Sequence, residues 1–165
     1  MLENLELFQE KAFSYSGLDH QYLELIKKCD NVYRINFTIQ RENGKKEVIT
    51  GYRAHHKRTK MPAIGGLRIM KPQSISDNTA MALLTSYQCA VCDIPFGGSS
   101  GGINVDFDNY SENEKHMIVS RYTQELGNLR VVGPGMDIIS PEYGCSQELM
   151  DVMKEAYVKL FGIRD

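Results

Sequence analysis

The sequence lacks several features that would define broad classes of protein. No apolar run in its 165 residues approaches the ~18 residues of a membrane-spanning helix, so no direct membrane insertion is predicted. No charge of one sign dominates, because 19 basic and 21 acidic residues leave a formal net charge of −2. This balance gives no broad electrostatic basis for binding nucleic acid or an acidic membrane surface.

A targeting segment is not visible at the N-terminus. The first eight residues, MLENLELF, are acidic and apolar. They lack the basic-then-apolar order of a secretory signal, and they lack the Arg-rich, acid-poor composition of a transit peptide. Either the chain is not imported by such a signal, or the signal is absent from this numbering.

A metal-binding arrangement of cysteine and histidine is missing as well. Cys89 and Cys92 form a single C-x-x-C, but no second ligand pair has suitable spacing, so no metal site is predicted. Both lie on an apolar helical pattern and are expected to be small core residues, with redox or metal use as the alternative. His20 and His116 belong to no recognisable constellation of ligand residues.

A pair of adjacent histidines opens a basic run, His55–Lys60. Adjacent residues of an extended chain point to opposite sides, so joint metal ligation by His55 and His56 is not expected. The run is predicted to be a solvated loop, and the alternative is a docking patch for an acidic partner.

What the sequence does contain is helical periodicity interrupted by strand-like alternation. Apolar residues alternate with polar ones from Tyr33 to Gln40, which predicts a half-buried strand, and Asn43–Gly44 predicts a tight hairpin turn with positive φ angles. Ser111 and Glu114 have the spacing of a helix capping box. The predicted elements begin with helices within 2–28 divided at Gly17, strands at 33–40 and 48–54, a loop over 55–66 and a strand at 67–70. They continue with a helix over 76–91, a strand at 103–105, a helix over 111–126, a strand at 131–132 and a helix over 149–160.

These elements predict one α/β domain with a mixed β-sheet flanked by helices. The glycine-rich run 97–102 follows a helix and is expected to break it, so it is a poor candidate for a nucleotide-binding loop. No G-x-G-x-x-G turn between a strand and a helix is present, and no cofactor is predicted from the residues.

Three long runs, at residues 51–68, 87–103 and 133–142, resemble the substrate domain of glutamate dehydrogenase, in particular the shorter-chain mitochondrial type of animals. The resemblance implies that residues 1–165 form the N-terminal domain of that family, which binds substrate and carries subunit contacts of a hexamer. Family members continue into a Rossmann-type domain that binds NAD or NADP. This chain is expected to lack that domain, because it ends where the domain would begin.

The resemblance also implies four site positions, and the family's residue is replaced at each of them. Ile64 and Gln88 stand where lysines bind the substrate's carboxylates. Ser100 stands where a lysine of lowered pKa acts as acid and base, and Glu142 stands where an aspartate transfers protons. Ile64 or Gln88 alone could reflect a change of substrate, since relatives accept leucine, valine or phenylalanine. Ser100 could not, because those relatives also use lysine there.

We therefore expect a vestigial substrate pocket and no catalytic residue. The predicted function is that of a pseudoenzyme, a structural or accessory subunit of a larger homo- or hetero-oligomeric assembly. It is mitochondrial by resemblance, with the cytoplasm as the alternative. The second hypothesis is a regulatory subunit or small-molecule sensor, alone or within hexamers of an intact glutamate dehydrogenase. A packing subunit should fill the pocket, as Ile64 suggests, whereas a sensor should keep Gln88, Ser100 and Arg68 converging on it.

Overall fold

The helices and strands of the protein confirm the predicted α/β class with a mixed sheet. The computed structural model describes residues 1–57 and 61–162. Its elements are α1 (Leu2–Ser14), α2 (His20–Ile26), β1 (Asn31–Gln40), β2 (Lys46–His56), β3 (Ala63–Ile69), α3 (Ile75–Val91), β4 (Gly97–Ile103), a 3₁₀ turn (Phe107–Asn109), α4 (Glu112–Asn128), β5 (Asp137–Pro141) and α5 (Gln147–Phe161).

The sheet has five strands in the spatial order β1-β2-β4-β3-β5. β1 and β2 form the predicted antiparallel hairpin, with Asn31 opposite His55 and Gln40 opposite Lys46. β4 runs antiparallel to β2 and parallel to β3, and β3 is also parallel to β5. At the hairpin turn, only Gly44 has a positive φ, of 82°, so the expectation of a positive angle at Asn43 is wrong.

Helices cover both faces of this sheet. On one face, the alternating apolar residues of β1, including Phe37 and Ile39, pack into a core with Tyr122 and Leu126 of α4. On the other face, Leu83 of α3 packs into a smaller cluster together with α1. The alternation in the sequence therefore identified the inward face of β1 correctly.

The glycine-rich run 97–102 does not break the structure, as the sequence suggested, but forms most of the central strand β4. Helix α3 lies directly on this strand: a Cβ added at Gly98 would come within 2.2 Å of the Ala82 carbonyl oxygen. Glycine thus serves close packing here rather than chain flexibility. The strand predicted at 131–132 is wrong, because both valines are buried in irregular backbone and the strand lies at Asp137–Pro141 instead.

The predicted loop over 55–66 is largely wrong. β2 extends to His56 and β3 begins at Ala63, so both histidines lie on a strand and are only 1% exposed. They do face opposite sides of the sheet, as expected for adjacent strand residues. The rest of the basic run, residues 58–60, lies outside the described part of the chain. The core assignment is correct for Cys89, which is buried, but wrong for Cys92, which is exposed.

Helix α4 begins with the predicted capping box. The Ser111 hydroxyl accepts a hydrogen bond from the Glu114 N–H at 3.3 Å, and the Glu114 carboxylate accepts one from the Ser111 N–H at 3.0 Å. Glu114 is buried, and its other oxygen accepts hydrogen bonds from Arg41 Nε at 2.8 Å and the Glu42 N–H at 2.9 Å. The bond from Arg41 and that from Glu42 lower the pKa of Glu114 to about 2.

We expect Glu114→Gln to reduce the dependence of stability on acid pH. Because the folded-state pKa is about 2 and an unfolded glutamate titrates near ~4.3, the carboxylate stabilises the fold at neutral pH. That contribution is lost as the pH falls from about 5 towards 2. Urea midpoints at pH 7 and pH 3 should therefore differ less in the variant than in the wild type. The exposed Glu155→Gln serves as the matched control, and equal pH dependence in Glu114→Gln and the wild type would refute the assignment.

Candidate functional site

An open cleft lies between α3, the N-terminal half of β3 and the C-terminal end of β5. Its volume is about 410 Å³, which is within the range of small-molecule sites. Three of the four predicted site residues line it: Ile64 from β3, Gln88 from α3, and Glu142 directly after β5. Much of the remaining wall is apolar and includes Met81, Ile94 and Phe96, with Thr85 and Ser140 as polar members.

Strand alternation determines which residues of β3 reach this cleft. Ile64, Gly66 and Arg68 occupy the half-buried face of the strand, while the residues between them are buried. A Cβ at Gly66 would lie 2.1 Å from Glu142 Oε2 and 2.8 Å from Glu142 Cβ, so the Glu142 side chain packs directly on this glycine. The carboxylate of Glu142 therefore lies directly over the backbone of β3.

Glu142 is held by an ion pair with Arg68. Arg68 Nε lies 3.0 Å from Glu142 Oε1, and the two side chains are 18% and 34% exposed. The guanidinium of Arg68 is therefore paired with a carboxylate of this chain and is not free for a ligand. This pairing leaves Gln88, which is exposed, as a neutral hydrogen-bonding group on the wall formed by α3.

Ser100 is not brought to the cleft with the other three positions. It lies in the middle of β4, is 1% exposed and is absent from the cleft lining. Its hydroxyl has no hydrogen-bond partner among the residues that the structure describes. The cleft therefore matches neither expectation completely. It is not filled in, as was expected of a packing subunit, and Ser100 and Arg68 do not offer it free donors, as was expected of a sensor.

A buried ionic network lies on the opposite face of the sheet, and sequence reasoning missed it. Arg53 binds both oxygens of Asp137, with Nε–Oδ2 at 2.6 Å and Nη2–Oδ1 at 2.7 Å. Arg53 also donates to the Gly65 and Gly66 carbonyls, and the Ser99 hydroxyl donates to Asp137 at 2.6 Å. One ion pair therefore connects β2, β3, β4 and β5.

The charge state of Asp137 follows from these contacts. Burial acts to raise the pKa of Asp137, but the charge and hydrogen bonds of Arg53 outweigh it. A hydrogen bond with His55 Nε2 at 2.8 Å acts in the same direction. The pKa of Asp137 is consequently held well below its usual range, and the carboxylate stays charged. The sequence offered one weak signal, an arginine on the face of β2 that carries buried Ile49.

His56, the second histidine of the pair, links strand β2 to α2 and α3 through hydrogen bonds. His56 Nε2 lies 2.8 Å from the Ile26 carbonyl, which can only accept, so this nitrogen carries the proton. Nδ1 then accepts from the Ser86 hydroxyl at 2.7 Å, and Ser86 accepts from the Gly98 N–H at 2.8 Å. Burial lowers the pKa of His56 more than the bond to Ile26 raises it, so the ring is neutral at physiological pH.

One exposed group of side chains has a geometry compatible with a metal ion, contrary to the expectation that His20 has no neighbours of this kind. Glu10, His20 and Glu24 lie close together on α1 and α2. Lys27 already forms ion pairs with both glutamates, which lowers the net negative charge available to a cation. A membrane-spanning helix needs about 18 predominantly apolar residues, and none of the helices within residues 1–57 and 61–162 meets that requirement.

Comparison with known proteins places this fold among amino-acid dehydrogenases. The family described as "Glu/Leu/Phe/Val dehydrogenase, dimerisation domain" matches residues 29–159. The mitochondrial glutamate dehydrogenase of Dictyostelium discoideum is 33% identical over 156 residues, covering 94% of this chain and 31% of that protein. The NAD-specific glutamate dehydrogenase A of Halobacterium salinarum is 35% identical over 146 residues, covering 88% and 33%. The chain spans about a third of the length of these relatives.

A solved structure shows the same fold. The hetero-hexameric glutamate dehydrogenase from Thermus thermophilus, in a Leu-bound form, superposes with a TM-score of 0.91 at 30% sequence identity. The match covers 98% of this chain and 38% of that one. The region that matches here contains the whole five-stranded sheet and the cleft beside α3.

Proposed function

The chain belongs to the Glu/Leu/Phe/Val dehydrogenase family through its dimerisation domain, and on that premise we propose that it is a non-catalytic subunit of a larger protein assembly. In this role it contributes packing surfaces rather than amino-acid oxidation. Its partners are other protein chains, either copies of itself or related dehydrogenase subunits. The mitochondrial relative from Dictyostelium discoideum favours that compartment, with the cytoplasm as the alternative.

The position of Ser100 carries this proposal. Where the resemblance implies a lysine that acts as acid and base, the chain has a hydroxyl buried within β4. A serine hydroxyl is neither a cation nor a useful base near neutral pH without an adjacent base, and no described residue bonds to this one. Ile64 and Gln88 remove two further positive charges from the same region, so a dicarboxylate substrate would lack its counter-charges.

Exposed apolar side chains on the N-terminal helices support a role in assembly. Leu7 and Phe8 of α1 are 70% and 68% exposed, and Leu25 of α2 is 62% exposed. Val91, at the end of the neighbouring α3, is 87% exposed. Phe8 and Val91 line the same shallow apolar cavity, and an exposed apolar patch usually marks an interaction site.

A regulatory role is the second candidate, and the open cleft favours it. A subunit that served only for packing has no need of a cleft of about 410 Å³ with a polar group such as Gln88 on its wall. The similar enzyme from Thermus thermophilus is hetero-hexameric and was solved with leucine bound, so unlike subunits do assemble on this fold. By analogy, this chain would enter hexamers of an intact glutamate dehydrogenase and respond to a small molecule.

The first test is enzymatic activity together with restored charge. The full-length protein should not reduce NAD or NADP in the presence of glutamate, and Ile64→Lys/Gln88→Lys should not restore turnover. That double variant should, however, bind 2-oxoglutarate at least tenfold more tightly in calorimetry, because charge-assisted hydrogen bonds contribute about 1.5–3 kcal/mol. Gln21→Lys/Gln147→Lys adds the same charge at exposed sites elsewhere and should change nothing. Turnover by the wild type would overturn the proposal.

The second test separates packing from regulation. The tagged full-length protein is purified from its native source, and the co-purifying chains are identified by mass spectrometry. If an intact glutamate dehydrogenase co-purifies, its turnover is measured with and without this chain. A packing subunit should leave the rate per catalytic chain unchanged, whereas a regulatory subunit should shift it or its response to amino acids.

A further inference from the structure

The charge balance of the cleft differs from that of a dicarboxylate site. Among the described residues that line it, Glu142 is the only one with a charged side chain. Arg68, which is paired with Glu142 Oε1 at 3.0 Å, does not line the cleft. The described lining of the cleft therefore carries one negative charge and no positive charge.

The carboxylate of Glu142 retains capacity for a further hydrogen bond. Arg68 binds Oε1, while Oε2 lies over Gly66 and has no donor among the described residues. An ionised carboxylate accepts through both oxygens, so one ion pair does not saturate it. The side chain is 34% exposed, which allows a ligand to reach it from the cleft.

The rest of the wall suits an apolar substituent next to that carboxylate. Ile64, Met81, Ile94 and Phe96 provide apolar surface, and Gln88 provides a neutral polar group. Small-molecule sites typically combine an apolar lining with a few polar groups that fix the ligand's orientation. A carboxylate in the ligand would meet Glu142 without an unpaired described cation to offset the repulsion.

We propose that the cleft binds a primary ammonium compound with a short apolar tail and no carboxylate, and that Glu142 determines this preference. The inference rests on the proposed loss of the substrate-binding lysines and names the ligand class of the same cleft. The ammonium donates to Glu142 Oε2, and the tail packs against Ile64 and Phe96. Arg68 is the internal counter-ion of Glu142 and competes with the ligand's ammonium for that carboxylate.

Three probes that share one apolar tail test the preference by titration calorimetry of the full-length protein. The first, 3-methylbutylamine, carries an ammonium group. Leucine carries both an ammonium and a carboxylate, and 4-methylpentanoate carries a carboxylate alone. The wild type should bind the amine most tightly, leucine more weakly and 4-methylpentanoate least. Raising the ionic strength should weaken amine binding, because the contact is partly exposed to solvent.

Two substitutions should change the amine affinity in opposite directions. Glu142→Gln should weaken amine binding about tenfold and strengthen 4-methylpentanoate binding, because it removes the acceptor and releases Arg68. Arg68→Gln should instead strengthen amine binding by leaving the carboxylate unpaired. Glu155→Gln, on α5 away from the cleft, is the matched control and should leave all three affinities unchanged.

The outcomes are distinguishable from those of the proposed function. Undetectable amine binding by the wild type, or tighter binding of leucine than of the amine, overturns the inference. An equal loss for all three probes in Glu142→Gln also overturns it. If that variant fails to fold, the wild-type ranking and Arg68→Gln still decide. The proposed function is tested separately, by glutamate turnover and by the identity of co-purifying chains, so its failure does not depend on these three affinities.

Discussion

Asp137→Ala is expected to lower the free energy of unfolding by about 3–5 kcal/mol, the usual cost of removing one partner from a buried ion pair. Asp137 and Arg53 are both buried, and the arginine would be left as an uncompensated charge in the core. The Ser99 and His55 side chains would lose their shared acceptor as well. Because Arg53 joins four strands, the loss should affect the whole sheet rather than one edge.

Urea unfolding followed by circular dichroism measures this loss. Glu112→Ala is the control, because it removes a carboxylate from a surface ion pair with Lys115 and should have a much smaller effect. The double variant Arg53→Met/Asp137→Leu should recover much of the stability lost in Asp137→Ala, since it leaves no buried charge without a partner. If Asp137→Ala and Glu112→Ala were equally mild, the network would not be the main polar constraint on the sheet.

Gly98→Ala is expected to destabilise the protein by about 3 kcal/mol, at the upper end of the usual range for overpacking. The added Cβ would lie 2.2 Å from the Ala82 carbonyl oxygen and 2.3 Å from the Ser86 nitrogen. Both are backbone atoms of α3, so no rotamer change relieves the clash and the helix has to move. The movement would also disrupt the bond between Ser86 and His56.

Thermal unfolding and near-ultraviolet circular dichroism should both report this change. Gly135→Ala is the matched control, because a Cβ at that position meets no atom within 4 Å. The displaced α3 should also alter ligand binding in the cleft, since α3 contributes Gln88 to its wall. Unchanged stability in Gly98→Ala would mean that α3 adjusts at little cost and that the glycine is not required for packing.

The parts of the fold that were predictable from the sequence are those with a regular period. The β1–β2 hairpin was identified from alternation between Tyr33 and Gln40, and the start of α4 from the capping box at Ser111. The central strand β4 was missed because glycine carries no side chain that could alternate. Its assignment depends on the approach of α3 to Gly98, which is a tertiary contact and leaves no local pattern.

The cleft was predictable only in part. Ile64, Gln88 and Glu142 line it although they are far apart in sequence, whereas Ser100 does not, and the role of the cleft as a vestigial substrate pocket stays a prediction. The pairing of Glu142 with Arg68 could not be read from either residue, because it depends on the register between β3 and β5. Arg53 and Asp137 are separated by 84 positions, and no local pattern connects them.

The pleat of β4 has a consequence for how such a protein diversifies. Ser99 points to the ionic network, and Ser100, its neighbour in sequence, lies on the face towards α3. Exchange of the residue at position 100 is therefore independent of the ion pair that joins the strands. The pleat separates, between two neighbours in one strand, a side chain that serves the sheet's ion pair from one that takes no part in it.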